Sequence, residues 1–244
     1  PTNPDIVYVA ASGNEWTANP DRGLYKTTDG GRNWERVLQI DTLTGVSDVV
    51  MDPSNPNTLY ASSWQGVRRK WNDPRVEPGF EKNGIWKSTD AGRTWSQINN
   101  GLPEAKFRGR IGIDISRSNP RVLYAFVDNY EIARQAAVGE LNAYGLQAAP
   151  VIRGATVYRS DDAGASWRRA SEYNRTMESL AGTYGWVFGQ IRVDPTDENR
   201  IYVMGVPLVV SDDAGKTFRP LRGMHSDHHG VWIDPGNPDY VVNV

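Results

Sequence analysis

The sequence predicts an all-β fold of repeated four-stranded antiparallel sheets. Two interleaved repeats and one compositional fact predict it. The first repeat runs hydroxyl-x-Asp-x-Gly-x-polar-aromatic and occurs at 27–34, 88–95, 160–167 and 211–218. Its copies carry Thr27, Asp29, Gly31 and Trp34; Ser88, Asp90, Gly92 and Trp95; Ser160, Asp162, Gly164 and Trp167; Ser211, Asp213, Gly215 and Phe218. The second repeat is an Asp-Pro or Asn-Pro bend followed by β-branched and aromatic residues, as in Asp52-Pro53-Ser54-Asn55-Pro56 before Leu59-Tyr60. It recurs at Pro1–Pro4, from Asp114 to Pro120, at Asp194-Pro195 and at Asp234-Pro235. The third observation is 24 Gly and 15 Pro in 244 residues, a supply of turn formers.

Each repeat has a mechanical reading. The aspartate accepts hydrogen bonds from amides just after it and fixes a tight corner. The glycine supplies a positive φ, and the aromatic starts the next strand and points into the core. Asp-Pro and Asn-Pro are bends between alternating segments. One unit is therefore strand, proline bend, strand, loop, strand, Asp corner, strand. Repetition of such a meander builds the blades of a β-propeller.

With strands A to D counted outward from the axis, blade one has B at 6–10, C at 23–27 and D at 33–38. Blade two has A at 46–51, B at 58–62, C at 84–88 and D at 94–98. Blade three has A at 109–114, B at 122–127, C at 156–160 and D at 166–170, with a helical insertion expected at about 131–147. Blade four has A at 187–193, B at 200–204, C at 208–211 and D at 217–221, and a further A strand lies near 229–233. Residue 1 falls inside a bend and residue 244 inside a strand. The expectation is about four blades, part of a larger ring whose remaining blades are partners in the same chain.

Composition narrows the function. A formal net charge of -2, from 27 Lys+Arg and 29 Asp+Glu, argues against a general nucleic-acid surface. No stretch is long and apolar enough to span a membrane. The absence of cysteine excludes disulfides and thiol catalysis. No residue set calls for a cofactor.

Alternating strand direction sorts the connections onto two faces. Proline bends and Asp corners share one, and the irregular B–C and D–A loops share the other, where binding usually lives. Trp16, Trp64, Trp71 and Trp186 gather on the loop face, suited to sugar stacking or a protein hot spot, or packed under their own loops. All three histidines lie in His225-Ser226-Asp227-His228-His229, before an inner strand. Three readings stay open for them: a hydrogen-bonded girdle, a ligand contact, or a transition-metal site. Against the metal, adjacent strand residues such as His228 and His229 face opposite ways.

Aligned on the Asp of each bend, Asp48, Arg110, Gln190 and Gly230 are equivalent, as are Val46, Arg108, Phe188 and His228. Asp48, Arg108, Arg110, Gln190 and His228 are then expected to ring the channel. Asp48 and Asp227 are the candidate carboxylate pair for glycoside hydrolysis. His225, His228, His229, Arg108, Arg110, Gln190, Trp64, Trp71 and Trp186 are the candidate ligand contacts.

The four corners resemble the Asp box, or bacterial neuraminidase repeat. Sialidases, xyloglucan-cleaving hydrolases, sortilin-type receptors and a photosystem II assembly factor share it. The resemblance implies a β-propeller in which the boxes are architectural. With the His-x-Asp-His-His segment, the chain is most similar to bacterial proteins of the sortilin-like and glycosyl-hydrolase-like type. That resemblance implies an extracytoplasmic propeller that binds or scaffolds a protein, peptide or carbohydrate ligand at the channel mouth. The alternative it implies is a sialidase- or xyloglucanase-like glycoside hydrolase.

Overall fold

The computed structural model describes residues 3–67, 81–174, 177, 180 and 188–244. The fold is an all-β propeller of four-stranded antiparallel blades, entered in chain order. Blade one contributes β1 (Val7–Ala11), β2 (Gly23–Thr27) and β3 (Glu35–Leu38). Blade two is β4 (Thr44–Met51), β5 (Leu59–Gln65), β6 (Gly84–Ser88) and β7 (Ser96–Gln97). Blade three is β8 (Arg108–Ile115), β9 (Leu123–Arg134), β10 (Val151–Ser160) and β11 (Arg168–Arg169). Blade four is β12 (Gln190–Val193), β13 (Ile201–Met204), β14 (Val209–Ser211) and β15 (Arg219–Pro220). A fifth sheet pairs β16 (Val231–Asp234) with β17 (Asn237–Asn243).

The four Asp corners are built alike. In blade three, Ser160 Oγ donates to Asp162 Oδ1 at 2.7 Å and accepts from the Gly164 N–H at 2.9 Å. Ser166 then donates to Asp162 through its N–H at 2.9 Å and its hydroxyl at 2.6 Å. Each glycine is left-handed, as expected. The residue before it is left-handed too, at φ 59° for Ala91 and Ala163, 62° for Ala214 and 71° for Gly30. Two successive left-handed residues turn the glycine N–H back onto the hydroxyl. Each corner also bonds the proline bend of its own blade, through Gly30 N–H to Asp5 O, Ala91 to Asn57, Ala163 to Arg121 and Ala214 to Asn199. Corners and bends therefore share one face.

Apolar clusters fill the spaces between blades. Tyr60, Ile85, Ile111, Ile113 and Leu123 pack between blades two and three. Phe126, Val157, Ile191 and Val203 pack between three and four. On the corner face, a tyrosine from each of the first three B strands latches the next blade: Tyr8 Oη donates to Ala91 O at 2.9 Å, Tyr60 to Ala163 O at 3.2 Å and Tyr124 to Glu198 O at 2.8 Å. The inner strands run very close. A Cβ on Gly112 would overlap the Gly189 carbonyl oxygen, so only glycine fits there.

Two expectations need correction. The segment 131–147 is not helical: β9 and β10 continue past the blade as a bulged hairpin, with Ile132 opposite Ile152 and Arg134 opposite Val151. Gly139 and Gly145 are left-handed at φ 80° and 74°, which no right-handed helix accommodates, and Leu141 bridges to Gln147. The corner tryptophans also differ among themselves. Trp167 is buried, whereas Trp34 is 44% exposed and donates only to its own corner at Gly31 O.

Candidate functional site

The site builds from the loop-side ends of the inner and B strands. Trp64 stands one residue before the end of β5, opposite Gly45, and the Arg110 guanidinium of β8 lies 5.8 Å from the Trp64 ring centroid. That distance is a cation–π contact across the junction of blades two and three. Burial lowers the Arg110 pKa, opposed by the negative charges of Asp48 and Glu15. Glu15 comes from the blade-one loop, whose Trp16 is 58% exposed. Arg22 is buried and knits this loop, donating to the carbonyls of Ser12 and Asn14, to Thr17 O at 3.2 Å and to Gly66 O at 3.5 Å. The arrangement is a half-buried indole under a guanidinium, and the loop that carries the exposed Trp16 is tied through Arg22 to Gly66. It suits a flat, hydroxylated ligand.

Within the histidine run, His228 is buried and His225 and His229 are exposed. His228 is 2% exposed, its Nδ1 faces Asn243 Oδ1, and its N–H donates to Gly205 O at 3.0 Å. His225 stacks on His228 with centroids 4.9 Å apart, and His229 stacks on Phe188 at 5.1 Å. The run thus seats β16 against the Gly205–Val206 loop of blade four, on the loop face. Asp227 is exposed at φ 68° and its N–H donates to Val206 O at 3.0 Å. Among the described residues, no group of three His, Asp or Glu converges as a metal site.

Asp48 lies elsewhere. It lines an axial cavity of about 280 Å³ together with Val50, Asp114, Arg117, Arg192 and Trp232. Neither Asp227 nor any histidine lines that cavity, so the structure does not bring the two candidate acids into one space. Asp48 accepts from Val49 N–H at 3.0 Å and Ile113 N–H at 3.1 Å. Asp114 accepts likewise from Ile115 at 2.9 Å and Val193 at 2.8 Å. Burial raises the Asp48 pKa and pushes Asp114 up to about 6, in both cases against the charge of Arg192. Both side chains keep an edge toward the cavity.

Arg108 is buried with its Nε unpartnered, and it is not among the residues that line the axial cavity. Gln190 opens β12, with Oε1 3.5 Å from Arg192. Trp71 and Trp186 lie outside the described residues.

The inner-strand equivalences shift by two in blade three. Ser116 N–H bonds Val122 O as Asp52 N–H bonds Thr58 O and Asp194 N–H bonds Arg200 O. Ser116, not Asp114, therefore starts the bend. Gly112 then stands level with Asp48, Gln190 and Gly230, and Arg110 with Val46, Phe188 and His228. One pleat along, Val50, Asp114, Arg192 and Trp232 form a level of their own. Asp114, Arg192 and Trp232 were not among the candidates. The signal was present in Ser118-Asn119-Pro120, which matches Ser54-Asn55-Pro56 and fixes the register. A further unanticipated carboxyl is Asp128 on β9, 1% exposed, holding Tyr130 Oη at 2.6 Å through Oδ2 while Oδ1 has no partner. Burial pushes it up to about 6.

No family model matches the chain. It is 22% identical over 177 residues to the xyloglucanase Xgh74A of Acetivibrio thermocellus, covering 69% of this chain and 18% of that protein. In structure it is similar to the GH74 enzyme of Niastella koreensis, with TM-score 0.58, 20% identity, and 99% of this chain against 33% of that one. An ancestral GH74 enzyme gives TM-score 0.59 at 14% identity, with 98% and 27% covered. The GH74 xyloglucanase of Xanthomonas campestris gives 0.51 at 18%, with 86% and 26% covered. The structural likenesses carry the propeller fold, and the chain spans a third or less of each of these relatives.

Proposed function

We propose that this chain is an exported, glycan-binding β-propeller of the Asp-box type, with its ligand on the loop face between blades one and three. The Trp64–Arg110 pair carries the reading. An indole beside a guanidinium offers a sugar both a flat apolar face and hydroxyl partners. Trp16 extends the surface by a second indole. The xyloglucanase names of the relatives favour a β-linked polysaccharide as the ligand class. The four corners support the Asp-box assignment, and His225-Ser226-Asp227-His228-His229 supports the sortilin-like and glycosyl-hydrolase-like type.

The second reading, glycoside hydrolysis, is favoured by those same names. It requires two carboxyl groups about 5–9.5 Å apart across one cleft. Asp48 gives its carboxylate to two backbone amides and faces the axial cavity, which makes it a poor acid for a loop-face substrate. Calorimetric titration with xyloglucan oligosaccharides tests the first reading, with loss of heat expected in Trp64→Ala. New reducing ends during the same incubation would instead support the second. Neither binding nor cleavage of any plant polysaccharide would remove both.

A further inference from the structure

Neither Trp64 nor Arg110 lines the axial cavity, and its wall carries both signs of charge. Asp48 and Asp114 stand on the inner strands of blades two and three. Arg192 stands on the inner strand of blade four, Arg117 on the bend after β8, and Trp232 on β16. The opposite charges have not collapsed onto one another. Arg192 donates to Ile191 O at 2.7 Å and reaches Gln190 Oε1 at 3.5 Å, rather than either carboxylate. Arg117 is exposed in its bend.

The carboxylates are fixed but not saturated. Each oxygen of Asp48 and of Asp114 takes one backbone N–H. A carboxylate offers about four acceptor positions, so each keeps about two. The Asp48 and Asp114 backbone bonds hold those positions toward the cavity without a mobile loop. Such pre-orientation lowers the ordering cost of binding. The Trp232 indole is 52% exposed and joins the wall from the inner strand after that of Arg192.

A space of about 280 Å³ lies at or below the lower end for small-molecule sites, so the occupant is small. We infer that the cavity binds a small zwitterion, such as a free α-amino acid, with its ammonium on Asp48 and Asp114 and its carboxylate on Arg192 and Arg117. The side chain lies along Trp232. A simple cation meets Arg192, and a simple anion meets two carboxylates. Only a ligand carrying both charges satisfies the carboxylates and the guanidinium groups together.

The test is titration of the whole chain with L-alanine and L-leucine, followed by calorimetry and by Trp fluorescence. Acetate and methylammonium serve as single-charge controls. Saturable binding of the amino acids is expected, at least about tenfold tighter than either control, the scale of one charge-assisted hydrogen bond. Arg192→Gln and Asp114→Asn should each weaken it by about tenfold or more. Asn keeps an acceptor for the Val193 N–H, and Arg117→Gln alters only an exposed side chain, so at least one variant reports on a folded protein. No saturable binding of either amino acid overturns the inference. So does binding that the folded variants leave unchanged, or controls that bind as tightly. Loss of glycan binding at Trp64 leaves this result untouched, which keeps the two proposals distinguishable.

Discussion

The Asp48 carboxylate of β4 reaches 3.1 Å across to the main-chain N–H of Ile113 in β8. Asp114 repeats the contact one blade on, with Val193 at 2.8 Å. An innermost strand has no neighbour on its axial side, so its outward N–H groups need partners from elsewhere. Here the preceding blade supplies a carboxylate.

That clasp gives a stability prediction. Asp48→Ala leaves the Ile113 N–H without its partner and is expected to cost about 1–3 kcal/mol in urea unfolding. Asp48→Asn keeps an acceptor and should cost less. Equal losses for both would mean that the charge, not the hydrogen bond, matters.

The corners predict a second loss. In Ser160→Ala the buried Gly164 N–H loses its acceptor and Asp162 loses a donor. The expected cost is about 1–3 kcal/mol, read as a lowered melting temperature. The equivalent Thr27→Ala change gives the smallest effect of the four, because its corner includes the 44% exposed Trp34 and packs least.

The titration of buried and exposed carboxyls predicts an unusual pH profile. Hydrogen bonds from Asn33, Thr94 and Ser166 hold Asp29, Asp90 and Asp162 down at about 2. Their stabilisation is present above the unfolded value near 3.8 and is lost as pH falls through about 2. Burial raises Asp114 and Asp128 to about 6, which has the opposite sign. Their contribution is complete below about 3.8 and is lost as pH rises through about 6. These groups together place the stability maximum near pH 4. Asp128→Asn should flatten the fall between about pH 4 and 6 by about 2–3 kcal/mol, measured by denaturant titration across that range. An unchanged slope would rule Asp128 out as its source.

Blade-to-blade latching predicts a fourth effect. Arg159 is buried and bonds Tyr124 Oη at 2.7 Å, Asn199 Oδ1 at 2.9 Å and Glu198 Oε1 at 3.1 Å. Tyr124→Phe removes the hydroxyl that bridges Arg159 and Glu198 O. A cost of about 1–2 kcal/mol is expected, with faster hydrogen exchange at 197–200.

Much of the fold was legible because its signals are local. A hydroxyl, an aspartate and a glycine at fixed spacing close a corner wherever they occur, and the proline bends mark the opposite ends of the same strands. The division into two faces followed from strand alternation alone. What failed depended on register or on partners distant in sequence. Reading Asp114 as the start of a bend displaced the inner level by two residues and hid the Asp114–Arg192–Trp232 level. Apolar spacing in 131–147 fits a helix, but Gly139 and Gly145 turn it into a hairpin. Trp64 falls inside β5 rather than in the loop after it, and its contact with Arg110 joins two blades and has no local signature. The histidine run drew attention by composition, yet His228 spends its ring on Asn243, fifteen residues away.

The most direct test is hydrogen–deuterium exchange of the chain with and without a saturating xyloglucan oligosaccharide. Protection is predicted at 12–17, 64–67 and 108–111, with none at the corners 88–95 and 160–167. Protection at the corners, or no change at the loop side of blades one to three, would contradict a loop-face glycan site.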